Sequence, residues 1–438
     1  MTNRGASLIR ADATSIPLAD ESVDLICTSP PYFALRSYQD DGEHYDGQIG
    51  SEPTPAAFLD ALWAVTAECK RVLKPSGSIW INLGDKYAGS GGHNNAGISR
   101  ASQFPLPLDA NGNPEGERRR RTQREVDMGD MRSAAARRNA PDRYNQDTGG
   151  LPAKCLMGLP WRYAIGCTDQ LGLILRAEII WSKPNGLPES VNDRVRRSHE
   201  QWFHMVKSPR YYAAVDEVRE PHDDKAGPPQ RMGNQVAMND RSDGVARAQS
   251  WAPGGERTYN PLGKLPGSVW TIPSEPLRVP DHIGVDHYAA FPQELVRRIV
   301  LGWSPPGICI ECGQGRAPVV DKQFHERSPT STGLRNDLRR DDGTGYRADL
   351  TGMPTGSTEA TITGYACACP APVRPSVILD PFNGTGTVPM VARTLGRHGI
   401  GIDLSADYLR LATWRIWHSG HGAKTERRTW TERQGALW

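Results

Sequence analysis

Near each end of the chain, a short apolar stretch runs directly into a rigid or glycine-rich turn. On the N-terminal side, Ser22-Val23-Asp24-Leu25-Ile26-Cys27 reads as a buried strand that ends in Thr28-Ser29-Pro30-Pro31-Tyr32. On the C-terminal side, Val377-Ile378-Leu379 reads as a strand that ends in Asp380-Pro381-Phe382-Asn383-Gly384-Thr385-Gly386-Thr387. Each turn is followed by more strand and helix patterning. Residues 56–73 place Phe58, Leu62, Val65, Cys69 and Val72 at helical spacing, Lys74 to Gly77 should stop that helix, and residues 78–83 form a second strand pattern. Past the second turn, residues 389–395 and 407–417 read as helices, with a strand at Gly399-Ile400-Gly401-Ile402 between them. Strand–turn–helix units at both ends, with irregular stretches between, predict one doubly wound α/β sheet built from the two ends of the chain. In the middle, residues 161–171 and 291–301 read as helices and residues 177–181 as a strand; no internal repeat appears.

The chain has 438 residues, more than one ordinary core needs, so inserted modules are expected. A net charge of +2 excludes an argument for nucleic acid from bulk charge, and any basic footprint must be local. No apolar run approaches the about 18 residues that span a bilayer, and the first residues lack the apolar stretch of a secretion signal. A cytoplasmic location with no membrane partner is the expectation.

The C-terminal turn suits a nucleoside ligand. Glycines between a strand and a helix let a ligand approach the backbone, and the helix start offers free N–H groups. Asp403, at the end of the next predicted strand, can accept hydrogen bonds from both ribose hydroxyls. The spacing is not that of a dinucleotide fingerprint. The N-terminal turn suits a planar amine. Two prolines fix the backbone and remove two donors, which leaves the Ser29 and Pro30 carbonyls as rigid acceptors. Ser29 adds a hydroxyl and Tyr32 a flat face.

These two motifs, in this order, resemble the amino-methylating DNA methyltransferases of the permuted, beta-type arrangement, the N4-cytosine and N6-adenine DNA methylases. The resemblance implies a seven-stranded class I S-adenosylmethionine-dependent methyltransferase (Rossmann-like) sheet with circularly permuted motif order. It implies that Ser29, Pro30, Pro31 and Tyr32 form the catalytic turn. It further implies that Asp380, Phe382, Asn383, Gly384, Gly386 and Asp403 bind S-adenosylmethionine. His287-Tyr288-Ala289-Ala290-Phe291-Pro292 would line its methionine end, through Phe291 and Pro292, and Asp12 would face its adenine. Segments 181–185 and 197–200 also match the family, without a role that the residues reveal. In this family a serine at the first catalytic position accompanies cytosine N4 and an aspartate adenine N6. Ser29 therefore points to cytosine, with adenine as the alternative. The implied partner is double-stranded DNA, with a flipped target base; a homodimer and a cognate restriction enzyme stay open. Cys27 lies inside the first strand and reads as core, so no cysteine nucleophile is expected.

Cys309-x-x-Cys312 and Cys367-x-Cys369 supply four thiols in two close pairs, which suits a structural tetrahedral zinc; the alternative is four separate reduced thiols. The expected organisation is a catalytic core of residues 1–87, 151–215, 266–308 and 370–420. Around it stand an Arg-rich insertion at 88–150, a candidate target-recognition region at 216–265, a zinc-binding insertion at 309–369 and a tail at 421–438. The run Arg118 to Arg121 reads as a solvated loop or as an arm on DNA phosphates. Two rival functions remain: methylation of RNA or of a protein amide, and a non-catalytic zinc-bearing DNA-binding protein.

Overall fold

The computed structural model describes residues 5–34, 39–40, 43–44, 48–89, 150–186, 188–189, 191–222, 260–277, 279–280, 283, 291–326 and 356–417. Arg118 to Arg121 with most of the 88–150 insertion, residues 223–259, residues 287–290 and the tail lie outside them. The chain forms two compact units. The first comprises Met1–Tyr211, Ser268–Arg297 and Val377–Trp438; the second comprises Tyr212–Gly267 and Arg298–Ser376.

In chain order the elements of the first unit are β1 (Ala6–Arg10), β2 (Val23–Thr28), β3 (Gln39–Asp40), β4 (Glu43–His44), α1 (Pro55–Val72), β5 (Leu73–Leu83), α2 (Leu159–Asp169), β6 (Ile174–Ser182), β7 (His199–Val206) and β8 (Val269–Thr271). Helix α3 (Gln293–Trp303) starts in the first unit and ends in the second, which adds β9 (Ile308–Cys309), β10 (Ala317–Glu326), β11 (Gly356–Ala366) and β12 (Val373–Arg374). The first unit closes with β13 (Val377–Asp380), α4 (Thr387–Thr394), β14 (His398–Asp403) and α5 (Ala406–Trp417).

The main sheet has the order β1-β14-β13-β2-β5-β7-β6-β8. The C-terminal strands β14 and β13 lie between β1 and β2 from the N-terminal end, so one sheet is built from the two ends of the chain, as their turn motifs predict. The pairs β1/β14, β14/β13, β13/β2 and β2/β5 are parallel, whereas β7 runs antiparallel to both β5 and β6. This is the class I methyltransferase sheet. It carries eight strands instead of seven, because the three-residue β8 adds a parallel edge to β6.

Strand β2 is buried along its whole length, as a central parallel strand covered on both faces must be. Helix α1 starts at Thr54, whose side chain accepts the Ala57 N–H, with Pro55 in the first turn. It buries Phe58, Leu62, Val65, Cys69 and Val72, the stripe that its spacing predicts. Its end differs from expectation. Lys74 to Gly77 lies within β5, which starts at Leu73. The register against β2 shifts between Val23 and Leu25, and this irregularity accommodates the proline and glycine, while Lys74 pairs with the nearly buried Asp24 at 2.5 Å.

Strand β7 carries no sequence expectation, although it lies inside the sheet. A histidine interrupts its apolar run. His204 stacks on Trp80 at 4.5 Å and shares a hydrogen bond with the Ser78 hydroxyl, and burial pushes its pKa down to about 3. It is therefore a neutral core residue. In the second unit, β10 and β11 form a long antiparallel ribbon where only a polar stretch is expected.

Candidate active site

Parallel pairing of β13 with β2 brings both motif turns to the carboxyl edge of the sheet, the edge at which open α/β sheets hold ligands. One hydrogen bond joins the two motifs directly. The Thr28 hydroxyl donates to Asp380 Oδ1 at 2.6 Å.

Asp380 is buried at the end of β13. Its Oδ1 also accepts the Phe382 N–H at 3.1 Å, while its Oδ2 has no hydrogen-bond partner among the described residues. Burial pushes this carboxyl up to about 7, against the opposing pull of the Thr28 and Phe382 hydrogen bonds. Asp403 ends β14 and is held on both oxygens. Gly384 N–H donates to Oδ2 at 2.8 Å and Ser405 N–H to Oδ1 at 2.9 Å. A carboxylate oxygen can accept more than one hydrogen bond.

Gly386 caps α4 with φ +75°, and a Cβ there would stand 2.9 Å from the Ala412 Cβ of α5. The lack of a side chain at 386 thus serves the approach of α4 and α5 within the fold as well as that of a ligand. Arg415 of α5 is buried and donates to the Thr385 and Thr387 hydroxyls, both at 2.6 Å. Phe382 is half-buried against the core. Asn383 is buried, and its backbone N–H bonds to the Ile402 carbonyl at 2.9 Å. Asp12 lies just beyond β1, at the same edge as Asp403, exposed and accepting the Thr14 N–H at 2.8 Å. Phe291 meets Trp202 edge-to-face at 5.8 Å, and Pro292 is buried. Residues 287–290 are outside the described set.

On the other side, Ser29 is half-buried, Pro30 buried, and Pro31 and Tyr32 half-buried. The Ser29 hydroxyl donates to Asn82 Oδ1 at 3.2 Å. The Tyr32 hydroxyl bridges Asn82 Oδ1 at 2.8 Å and Glu200 Oε2 at 2.9 Å. Glu200 is in turn paired with Lys183. The Tyr32 ring lies on the backbone of Gly84, where a Cβ would stand 2.5 Å from its Cε2. Asn82, Gly84, Glu200 and Lys183 are absent from the sequence-derived site. Lys183 and Glu200 belong to the matched segments that had no role; β6 and β7 place them together under Tyr32. Asn82 carried a readable signal, as the one amide in an otherwise apolar strand end. Cys27 is fully buried, and burial raises its thiol pKa well above the ordinary value, as expected of a core residue.

In the second unit the Sγ atoms of Cys309, Cys312, Cys367 and Cys369 all lie within 4.8 Å of one another. A tetrahedral zinc–thiolate site sets its sulfurs about 3.8 Å apart, so modest closure satisfies it. Backbone N–H groups of Cys312 and Glu311 pull the Cys309 thiol down to about 7, whereas hydrogen bonding with Cys312 pushes Cys369 up to about 11. The donor set and the clustering of the four sulfurs fit zinc.

The profile of the DNA methylase family, of the N6/N4 kind, matches residues 23–310 and 371–413. The chain belongs to this family. It is similar to the Type II methyltransferase M.Cfr9I of Citrobacter freundii, with 28% identity over 415 residues, 94% of this chain and 88% of that one. It is similar also to the Type II methyltransferase M.SmaI of Serratia marcescens, with 27% identity over 416 residues, 94% of this chain and 91% of that one. Among solved structures, the PvuII DNA methyltransferase (cytosine-N4-specific) aligns over 96% of this chain and 89% of its own, with 13% identity and a TM-score of 0.47. Among the described residues of this DNA methylase, no helix is long and apolar enough to cross a membrane.

The cofactor side fits S-adenosylmethionine on chemical grounds. A buried carboxylate oxygen without a partner suits an ammonium donor, and a second carboxylate at the neighbouring strand end suits a ribose diol.

Proposed function

We propose that this DNA methylase transfers a methyl group from S-adenosylmethionine to the exocyclic N4 of a cytosine flipped out of double-stranded DNA. The observation that carries this reading is the Thr28–Asp380 hydrogen bond, which sets the amine-gripping turn and the glycine turn side by side. Asp380, Phe382, Asn383, Gly384, Gly386 and Asp403 would hold the methyl donor, with Phe291, Pro292 and Asp12 at its ends. Bound S-adenosylmethionine supplies an electrophilic methyl on a sulfonium. Ser29 and the Pro30 carbonyl accept the two amine N–H groups and hold the nitrogen in place. The amine lone pair is conjugated with the ring, and acceptors aimed at both N–H groups favour a pyramidal nitrogen whose lone pair is available. The proton that the nitrogen sheds on methylation passes to solvent, since a hydroxyl and a peptide carbonyl accept hydrogen bonds but are not basic enough to take it. Tyr32, seated on Gly84, offers its ring to the extruded base.

Zinc on Cys309, Cys312, Cys367 and Cys369 has a structural role in this reading, since four thiolates leave no open position. Residues 216–265 would read the DNA sequence, Arg118 to Arg121 would meet phosphates, and a restriction enzyme would be the paired activity, as the Type II relatives suggest. Digestion of DNA from cells expressing the chain, followed by nucleoside mass spectrometry, tests the base. N4-methylcytosine is expected. N6-methyladenine as the sole product would overturn the base assignment, and no modified base at all would overturn the activity.

A further inference from the structure

We infer that Asn82 determines the discrimination of the target pocket between an exocyclic amine and an exocyclic oxygen, by taking the Ser29 proton and making Ser29 an obligate acceptor. The inference rests on the reading that Ser29 meets the target amine.

The orientation of Asn82 is fixed by its neighbours. Its Nδ2 donates to the Gln201 carbonyl of β7 at 3.1 Å, and a carbonyl can only accept. The flipped amide would set oxygen against oxygen. Oδ1 therefore faces the catalytic turn, and an amide oxygen cannot donate. The side chain is 1% exposed, so no water can substitute for the missing rotation.

A serine hydroxyl alone does not discriminate, because it donates one hydrogen bond and accepts two. With Asn82 Oδ1 at 3.2 Å, the single Ser29 proton is committed toward the protein. Oγ then keeps two lone pairs and no proton for an incoming group, and Ser29 is only half-buried. An incoming amine donates into them. An incoming carbonyl oxygen meets lone pairs and cannot be satisfied, and leaving buried polar groups unmatched is how a site rejects an analogue strongly. Tyr32 and the Lys183–Glu200 pair support this arrangement. The Tyr32 hydroxyl lies 2.8 Å from Asn82 Oδ1 and 2.9 Å from Glu200 Oε2, and an amide oxygen has two lone pairs, so Oδ1 can accept from both Tyr32 and Ser29. Asn82 is a positioning residue here, since it acts through Ser29.

The test uses the full chain. The modified site is first mapped by base-resolved sequencing of DNA from expressing cells. Two duplexes are then built on that site, with cytosine or uracil at the target position; if the mapped base is adenine, the pair is adenine and hypoxanthine. An abasic site stands opposite the target in both, so that unpairing costs are equal. The unaltered chain, loaded with S-adenosylhomocysteine, should bind the amine duplex at least about tenfold more tightly than the oxygen duplex. Asn82→Ala and Asn82→Leu, the second close in volume, should each reduce that ratio to within about threefold of one, with unchanged affinity for S-adenosylhomocysteine. Ser29→Ala should reduce it likewise. A ratio near one in the unaltered chain overturns the inference, and this arm stands whichever variants fold. So does a ratio kept in either Asn82 variant while Ser29→Ala loses it. A ratio and turnover unchanged in Ser29→Ala overturn instead the placement of the amine at Ser29.

Discussion

The two turns at the carboxyl edge are held in different ways. The turn from Ser29 to Tyr32 is positioned by side chains of other strands: Asn82 on β5, Glu200 on β7 and Lys183 just past β6. The turn from Asp380 to Thr387 is tied into the core at more points, by Thr28 on Asp380, Asp403 on the Gly384 N–H, the buried Arg415 on Thr385 and Thr387, and the close approach of Gly386 to α5. Changes on the first side should therefore alter chemistry and spare the fold. Changes on the second should alter the fold and the cofactor site together.

Gly386→Val should have the largest effect. It forces a β-branched residue to φ +75° and drives its Cβ into Ala412, at a combined cost of about 3 kcal/mol or more. Both the unfolding midpoint and the affinity for S-adenosylmethionine should fall, as read by calorimetry. Retention of both would remove the distinction between the two turns.

Asp380→Asn should separate stability from binding. A carboxyl whose folded pKa is raised to about 7 weakens the fold progressively as pH climbs from the ordinary carboxylate range to about 7, with a constant penalty above. The Asn variant lacks this penalty. Its midpoint relative to the unaltered chain should rise between pH 4 and pH 7, by up to a few kcal/mol in stability, and level off beyond. Cofactor affinity should fall at every pH, because an amide N–H replaces the buried acceptor. A midpoint difference that does not vary with pH would show that Asp380 is ionised throughout.

Ser29→Ala should lower turnover by about tenfold or more and leave both the midpoint and cofactor affinity within error. A parallel loss of cofactor binding would show that this turn, like the other, is part of the fold's support.

The same contrast explains what the sequence reveals. Apolar runs ended by proline or glycine mark β2 and β13, and the helical stripe of α1 is visible because its partner is an apolar sheet face. Strand β7 is hidden because His204 interrupts it; only the stacking on Trp80 makes that residue a core residue. The ribbon β10–β11 is hidden because threonines, charges and glycines alternate on an exposed pair of strands. In the site, Ser29, Tyr32, Asp380 and Asp403 stand out because their turns are local. Gly84 and Glu200 do not, and Asn82 shows only as an amide in an apolar strand end, since their roles depend on β5 lying next to β2 and β7 next to β5. Leu25 pairs with Ser78 and Ile81 with Phe203, so these pairings join distant parts of the chain and their partners leave no local mark.

The smallest effect on the methyl-donor site should come from the metal. Cys309 and Cys312 precede β10, and Cys367 and Cys369 follow β11, whose paired ends Ala317 and Ala366 lie opposite each other. A zinc ion on the four sulfurs would tie the root of the ribbon together, and the short β9–β12 pair beside it is too small to do so alone. Protein purified without chelator should carry about one zinc per chain by elemental analysis. Removal by a strong chelator should lower the midpoint of the second unit's unfolding, because metal bound only by the folded state stabilises it by mass action. Affinity for S-adenosylmethionine should stay within about twofold, since no residue of the glycine turn belongs to that unit. Absence of zinc would leave four clustered thiols that hydrogen-bond to one another and to nearby backbone groups. A cofactor affinity that collapses on chelation would show that the fold of the glycine turn depends on the metal as strongly as on Gly386.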